Sequence, residues 1–145
     1  MIKYTVQVDI KKDLETVTKL FTNYKLMPKW QPALTQIYHL SGTTLSVGSV
    51  TELTYEFNNQ TMVMQETICQ NQLPHLFIAT YEVENTWNQC INHFIEEDHH
   101  TRWIMTSEFR FKTNQDMPKQ TFIEKTTRSM MAFKKFVESN AITDM

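Results

Sequence analysis

The stretch TWNQCINHFIEEDHHTRW, residues 86–103, gathers one cysteine, three histidines and three acids within eighteen positions. Thiolate, imidazole and carboxylate are the ligands that zinc takes in a tetrahedron. The spacing argues against such a centre. The stretch alternates residue types as a strand does, so Cys90 and His93 have opposite parity and point to opposite faces, while His99 and His100 fall in the following turn. No tetrahedral set can form locally, and neither a metal nor another cofactor is expected. Cys69 and Cys90 match no C-x-x-C pattern and are expected to be reduced, buried and structural.

A second candidate is Glu66, a carboxylate between Met64 and Ile68 in TMVMQETICQ. On a buried face its pKa would rise, which suits general acid or base work. It could equally accept a hydrogen bond from Tyr81 or Asn88. Ser107 has no adjacent base and no G-x-S-x-G context, so a nucleophilic role is not expected. No glycine-rich phosphate loop exists, since Gly42 and Gly48 are the only glycines.

These residues must be positioned by elements that the periodicity outlines. Ile2, Tyr4, Val6, Val8 and Ile10 recur with period two, as in a strand with one buried face. Asp13 is a plausible N-cap for a short helix in which Leu14, Val17, Leu20 and Phe21 fall at helical spacing. Pro28 and Pro32 limit KLMPKWQPAL to a turn or two of further helix. Six strands follow, TQIYHL, SVTELTYEF, TMVMQETICQ, LFIATYEV, WNQCINHFI and RWIMTSEFRF, with links too short for helical crossovers, so the sheet should be antiparallel. After Met117-Pro118 the period changes to that of a long helix whose stripe is Phe122, Ile123, Thr126, Met130, Phe133 and Val137. The fold class is α+β, and the 145 residues are expected to form one domain.

Hairpin geometry assigns the faces. A two-residue turn at Asn58-Asn59 puts Leu53, Tyr55, Met62, Met64, Glu66 and Ile68 on one side. A turn at Glu84-Asn85 sets Phe77, Ala79 and Tyr81 beside Asn88, Cys90 and Asn92. Closing the next hairpin over Glu96 to Thr101 pairs Phe94 with Trp103, and Met105, Ser107, Phe109 and Phe111 continue that face. The inner face therefore carries Glu66, Tyr81, Asn88, Asn92 and Ser107, and the helix stripe adds Thr126. An unpartnered buried polar group costs about 1–3 kcal/mol. Such a set implies water, a ligand or mutual hydrogen bonding, and aromatic and methionine walls with a few polar groups are the usual form of a small-molecule site.

The element order, with VDIKKDLETVTKLFTN leading to MPKWQP, Gly48 opening the third strand, LPHLFIATYEV, WNQCINHF, TRWIMTSEF and the final MMAFKKFVES, resembles the SRPBCC or START-like superfamily of helix-grip proteins. Among its members are polyketide cyclase-like proteins, lipid-transfer domains, birch-pollen-allergen relatives and heat-shock-protein ATPase activators. The resemblance implies a curved seven-stranded antiparallel sheet wrapped around the long C-terminal helix. Two short helices would follow the first strand, near the entrance of a hydrophobic cavity. Carried over by position, Trp30 lies near that entrance. Tyr55, Met64, Glu66, Tyr81, Asn88, Asn92, Trp103 and Phe109 line the sheet side, and Phe122, Thr126, Met130 and Phe133 the helix side. The chain lacks the glycine-rich loop of the plant members: LSGTTLSVGS has two glycines.

Three functions are compatible with this reading. The first is binding or carriage of a mainly hydrophobic small molecule, such as a lipid, polyketide-like or isoprenoid compound, without turnover. The second is a cyclase- or dehydratase-type enzyme in which Glu66 shuttles a proton and Asn88 or Tyr81 stabilises an enolate oxygen. The third is a protein-interaction module or homodimer using Trp87, Ile91 and Ile95, which the parity places outside with His93, unless the C-terminal SNAITDM covers that stripe. A formal net charge of −2 with scattered basic residues speaks against nucleic acid. The N-terminus MIKYTVQVDI lacks a signal-peptide run and no segment approaches eighteen apolar residues, so a cytoplasmic protein without a membrane span is expected.

Overall fold

The computed structural model describes residues 1–139. The chain runs β1 (Ile2–Ile10), α1 (Leu14–Phe21), a single 3-10 turn (Met27–Lys29), β2 (Leu34–Ser41), β3 (Val50–Phe57), β4 (Gln60–Gln72), β5 (Leu76–Val83), β6 (Thr86–Glu97), β7 (His100–Phe111) and α2 (Lys119–Glu138). All seven strands form one antiparallel sheet in the order β1-β7-β6-β5-β4-β3-β2. The expected pair of short helices is present as one α-helix and one 3-10 turn: Pro28 occupies the first turn of the second, where proline is tolerated, and Pro32 lacks the N–H that would extend it.

Local chemistry accounts for these elements. Asp13 caps α1 by accepting the Thr16 N–H at 3.0 Å, and Val17 and Leu20 are buried on its inner side while Glu15 and Lys19 pair outside at 2.9 Å. Asn58 and Asn59 adopt left-handed φ of 51° and 61°, Glu84 has 35°, and Asp98 and His99 have 52° and 64°, as two-residue hairpin turns require. Phe57 therefore pairs with Gln60, Val83 with Thr86, and Phe94 with Trp103, which is the register the turns predict. The last hairpin is tighter than expected: its turn is Asp98-His99, and His100 already opens β7. The register of β4 against β5 shifts between Ile68 and Gln70. Cys69 is the extra residue of this bulge and is half-buried, not buried as its apolar neighbours suggest. Glu66 precedes the bulge and keeps its inward parity.

The helix α2 lies against the concave face, chiefly along β1. Met130, Phe133 and Val137 are fully buried. Its C-terminal end is tied to the chain after β1: the Lys11 N–H donates to Glu138 at 2.7 Å, and Lys134 donates to Glu138 at 2.7 Å. The centre of the core is aromatic. Trp103 packs face to face with Phe94 at 5.9 Å and edge-on to Phe133 at 5.3 Å and Phe21 at 5.2 Å.

On the convex side His93 is exposed, so it and the buried Cys90 do face opposite ways. The exterior residues Trp87, Ile91 and Ile95 differ from one another: Trp87 lies beneath the Arg110 guanidinium at 4.9 Å, Ile91 is half-buried, and Ile95 is exposed. Of the SNAITDM segment all but Ser139 lies outside the described residues. Among the described residues no helix is long and apolar enough to cross a membrane.

Candidate functional site

A cavity of about 220 Å³ separates the concave face of β3–β7 from the segment Phe21–Gln31. Its floor is the inward-facing row of the sheet, including Leu53, Met64, Phe77 and Met105. Its opposite wall is made by Phe21, Tyr24, Met27 and Trp30, which α1 and the proline-broken turn hold above the sheet. Thr22, Leu45 and Ser129 also line it and retain solvent exposure, marking its rim.

The carboxylate of Glu66 enters this space from the middle of β4, only 4% exposed. Two tyrosine hydroxyls hold it. Tyr24 donates to Oε1 at 2.5 Å, and Tyr81, its cross-strand neighbour, donates to Oε2 at 2.9 Å. Beside them the Tyr55 hydroxyl donates to Gln31 at 2.7 Å. Burial raises the Glu66 pKa above the ordinary carboxylate value, and the two tyrosine hydrogen bonds oppose that rise. Burial likewise raises Tyr24, Tyr55 and Tyr81, with the Glu66 charge adding to each. The Cys90 thiol, which also lines the cavity, is pushed up to about 12 by burial. All four neighbours therefore remain protonated and uncharged near neutral pH. Glu66 is the carboxyl group of this wall, and its proton affinity is raised by burial.

The remaining inner polar groups bond one another. The Asn92 amide donates to Phe77 O at 3.1 Å while its oxygen accepts Trp103 Nε1 at 2.9 Å. Asn88 donates to Ser107 Oγ at 2.9 Å and to Glu108 O at 3.0 Å. Thr126 and the Tyr4 hydroxyl are 2.7 Å apart. Mutual pairing, one of the three ways that sequence leaves open, accounts for these groups.

Of the residues carried over by position, Trp30, Tyr55, Met64, Glu66, Tyr81, Asn88, Asn92 and Trp103 come together on the cavity wall. The other five lie elsewhere. Phe109 and Phe122 pack on each other at 4.9 Å beside Phe111 and Tyr4, near Thr126. Met130 and Phe133 are core residues, and Ser129 is the lining residue that α2 supplies.

Sequence reasoning missed Tyr24, Phe21 and Gln31. Tyr24 follows the C-cap of α1 and belongs to no periodic pattern, so parity does not place it. The available signal was the need of a buried carboxylate for donors, which Tyr81 alone does not meet. Among the described residues no group of three or more His, Cys, Asp or Glu side chains is placed to hold a metal ion.

No protein-family model matches the sequence, and no curated protein matches it. Solved structures do. A START superfamily protein from Mycobacterium smegmatis superposes with a TM-score of 0.81 at 15% identity, covering 95% of this chain and 98% of that one. Ara h 8.0201 gives 0.81 at 17% identity, covering 95% and 98%. Major latex-like protein 151 from Panax ginseng gives 0.76 at 15%, covering 94% and 97%. Similarity at this level of identity, over nearly the whole of each chain, is similarity of fold.

Proposed function

We propose, from the START-like helix-grip fold that this chain has, that it binds a small, mainly apolar molecule in the cavity between Glu66 and the Phe21–Gln31 segment. One observation carries the reading: a void with apolar and aromatic walls surrounds a single buried carboxylate held by two tyrosines. Each ~100 Å² of apolar ligand surface removed from water contributes about 2.5 kcal/mol before association costs. The volume narrows the ligand class. An apolar void of roughly 150 Å³ accommodates benzene, so about 220 Å³ fits a compact ring compound or short isoprenoid better than a long-chain lipid. We extend the reading to a single-domain, cytoplasmic carrier that takes the ligand up through the rim at Thr22, Leu45 and Ser129.

The test is native mass spectrometry of the protein purified from its own host, followed by organic extraction, together with titration by naphthalene as a neutral apolar probe. A reproducible bound compound and saturable probe binding are expected. An empty protein that binds no probe would overturn the reading.

A second reading, an enzyme of the cyclase or dehydratase type, draws on the raised Glu66 pKa and the tyrosine hydroxyls at its two oxygens. It requires that the extracted compound be converted by the wild type and left intact by Glu66→Gln.

A further inference from the structure

The proposed function leaves the ligand's polar end unspecified, and the hydrogen-bonding capacity of the wall constrains it. An ionised carboxylate offers about four lone-pair sites. Tyr24 and Tyr81 occupy one on each oxygen, so Glu66 keeps unused acceptor capacity. Several donors around it are committed: the Tyr24 and Tyr81 hydroxyls to Glu66, the Tyr55 hydroxyl to Gln31, one Asn92 N–H to Phe77 O, the Trp103 N–H to Asn92, and the Asn88 amide to Ser107 and Glu108 O. The Trp30 indole N–H lacks a partner but is enclosed by protein atoms. At Glu66 itself the wall therefore offers a guest an acceptor.

Charge points the same way. No lysine, arginine or histidine lines the cavity, and Glu66 makes no ion pair among the described residues. A buried carboxylate without a positive partner is costly. The same cavity is lined by the rings of Tyr24, Tyr81, Trp30 and Phe21, and aromatic faces attract cations through their quadrupole. An anionic guest would meet the Glu66 carboxylate with no lysine, arginine or histidine in the lining to offset it. A protonated amine brings three donors and a positive charge and needs no acceptor.

Resting on the proposed small-molecule site, we infer that the ligand class is organic cations: a compact apolar or aromatic body carrying one protonated amine, which pairs with Glu66 between the Tyr24 and Tyr81 hydroxyls.

The experiment is isothermal titration calorimetry on the wild type with three ligands of matched size: 2-phenylethylamine, 2-phenylethanol and phenylacetate. The amine is expected to bind about tenfold or more tightly than the alcohol, as a hydrogen bond to a charged group allows, and phenylacetate weakest. In Glu66→Gln the preference for the amine should fall to about one, whereas Glu56→Gln, on the exposed end of β3, should keep it. Alcohol or phenylacetate binding as tightly as the amine overturns the cationic class while leaving the small-molecule reading standing. Retention of the preference in Glu66→Gln also overturns it. If none of the three ligands binds while naphthalene does, the cationic class falls and the small-molecule reading stands; if naphthalene does not bind either, both readings fall. Should Glu66→Gln not fold, the ranking of the three ligands on the wild type decides alone.

Discussion

At the β1–β7 margin of the sheet, Tyr4, Phe109, Phe111, Phe122 and Thr126 close on one another, whereas across β3–β5 the residues Tyr24, Tyr55, Tyr81 and Glu66 surround a void. Both regions combine aromatic rings with hydrogen-bonding groups on the same concave face. In the first, the rings lie 4.9–6.2 Å apart and the Tyr4 hydroxyl and Thr126 satisfy each other. In the second, the Tyr24 and Tyr81 hydroxyls converge on a carboxyl group that makes no ion pair among the described residues. The difference is in where the covering segment lies: α2 descends directly onto the β1 side, while the proline-broken segment bridges the other side without filling it. Residue types alone do not make a site; a gap between the covering element and the sheet does.

Truncation should separate the regions most strongly. Phe122→Ala removes a ring packed at a tilt against two others and should lower the unfolding free energy by about 3 kcal/mol. Met64→Ala on the cavity floor should cost no more than about half of that, because atoms facing a void have fewer contacts to lose. Urea denaturation measures both, and equal costs would erase the distinction.

Single hydroxyl removals come next. Tyr24→Phe leaves one oxygen of a buried carboxylate without its donor and should cost about 1–3 kcal/mol, against about 1 kcal/mol for Tyr4→Phe, whose partner Thr126 is neutral. The loss of the Tyr24 bond should also move the Glu66 pKa further up, readable by NMR titration of the side-chain carboxyl.

The pH dependence is smaller and has a definite sign. Because burial raises the Glu66 pKa in the folded state, the folded protein binds more protons than the unfolded chain above about pH 4.5. The contribution of Glu66 to stability is therefore greatest below that value, falls as pH rises towards the folded pKa, and is level above it. Thermal melts of wild type and Glu66→Gln should diverge over that window, the wild type losing ground; a constant difference would mean an unperturbed carboxylate.

The subtlest contrast is between the two thiols. Cys69, half-exposed at the β4 bulge, should react with an aromatic disulfide reagent at pH 8, while Cys90, buried and pushed up to about 12, should react only after denaturation. Rapid labelling of Cys90 in the native protein would mean that reagents enter the cavity freely.

Much of this architecture was legible in the chain. The turns at Asn58-Asn59 and Glu84-Asn85 set the parity of β3 to β6, because a two-residue hairpin leaves one register and a strand's side chains alternate. That alternation alone puts Glu66, Tyr81, Asn88 and Asn92 on the concave face. Sequence periodicity also identified the α2 stripe. It did not say which of those residues meet the cavity, since a helical stripe specifies an inward face but not the depth at which that face meets the sheet. Phe122 and Thr126 consequently face a packed margin, and Met130 and Phe133 a solid core, while Ser129 borders the opening.

The order of elements, the sheet register and the inward placement of one carboxylate all follow from local periodicity and turn chemistry. Only the tertiary structure decided that Tyr24, forty-two positions away, would share that carboxylate with Tyr81, and that a void would remain beside it. Those two outcomes depend on how far a non-periodic, proline-interrupted segment stands from the sheet, a distance set by packing at Phe21, Trp30 and Phe133.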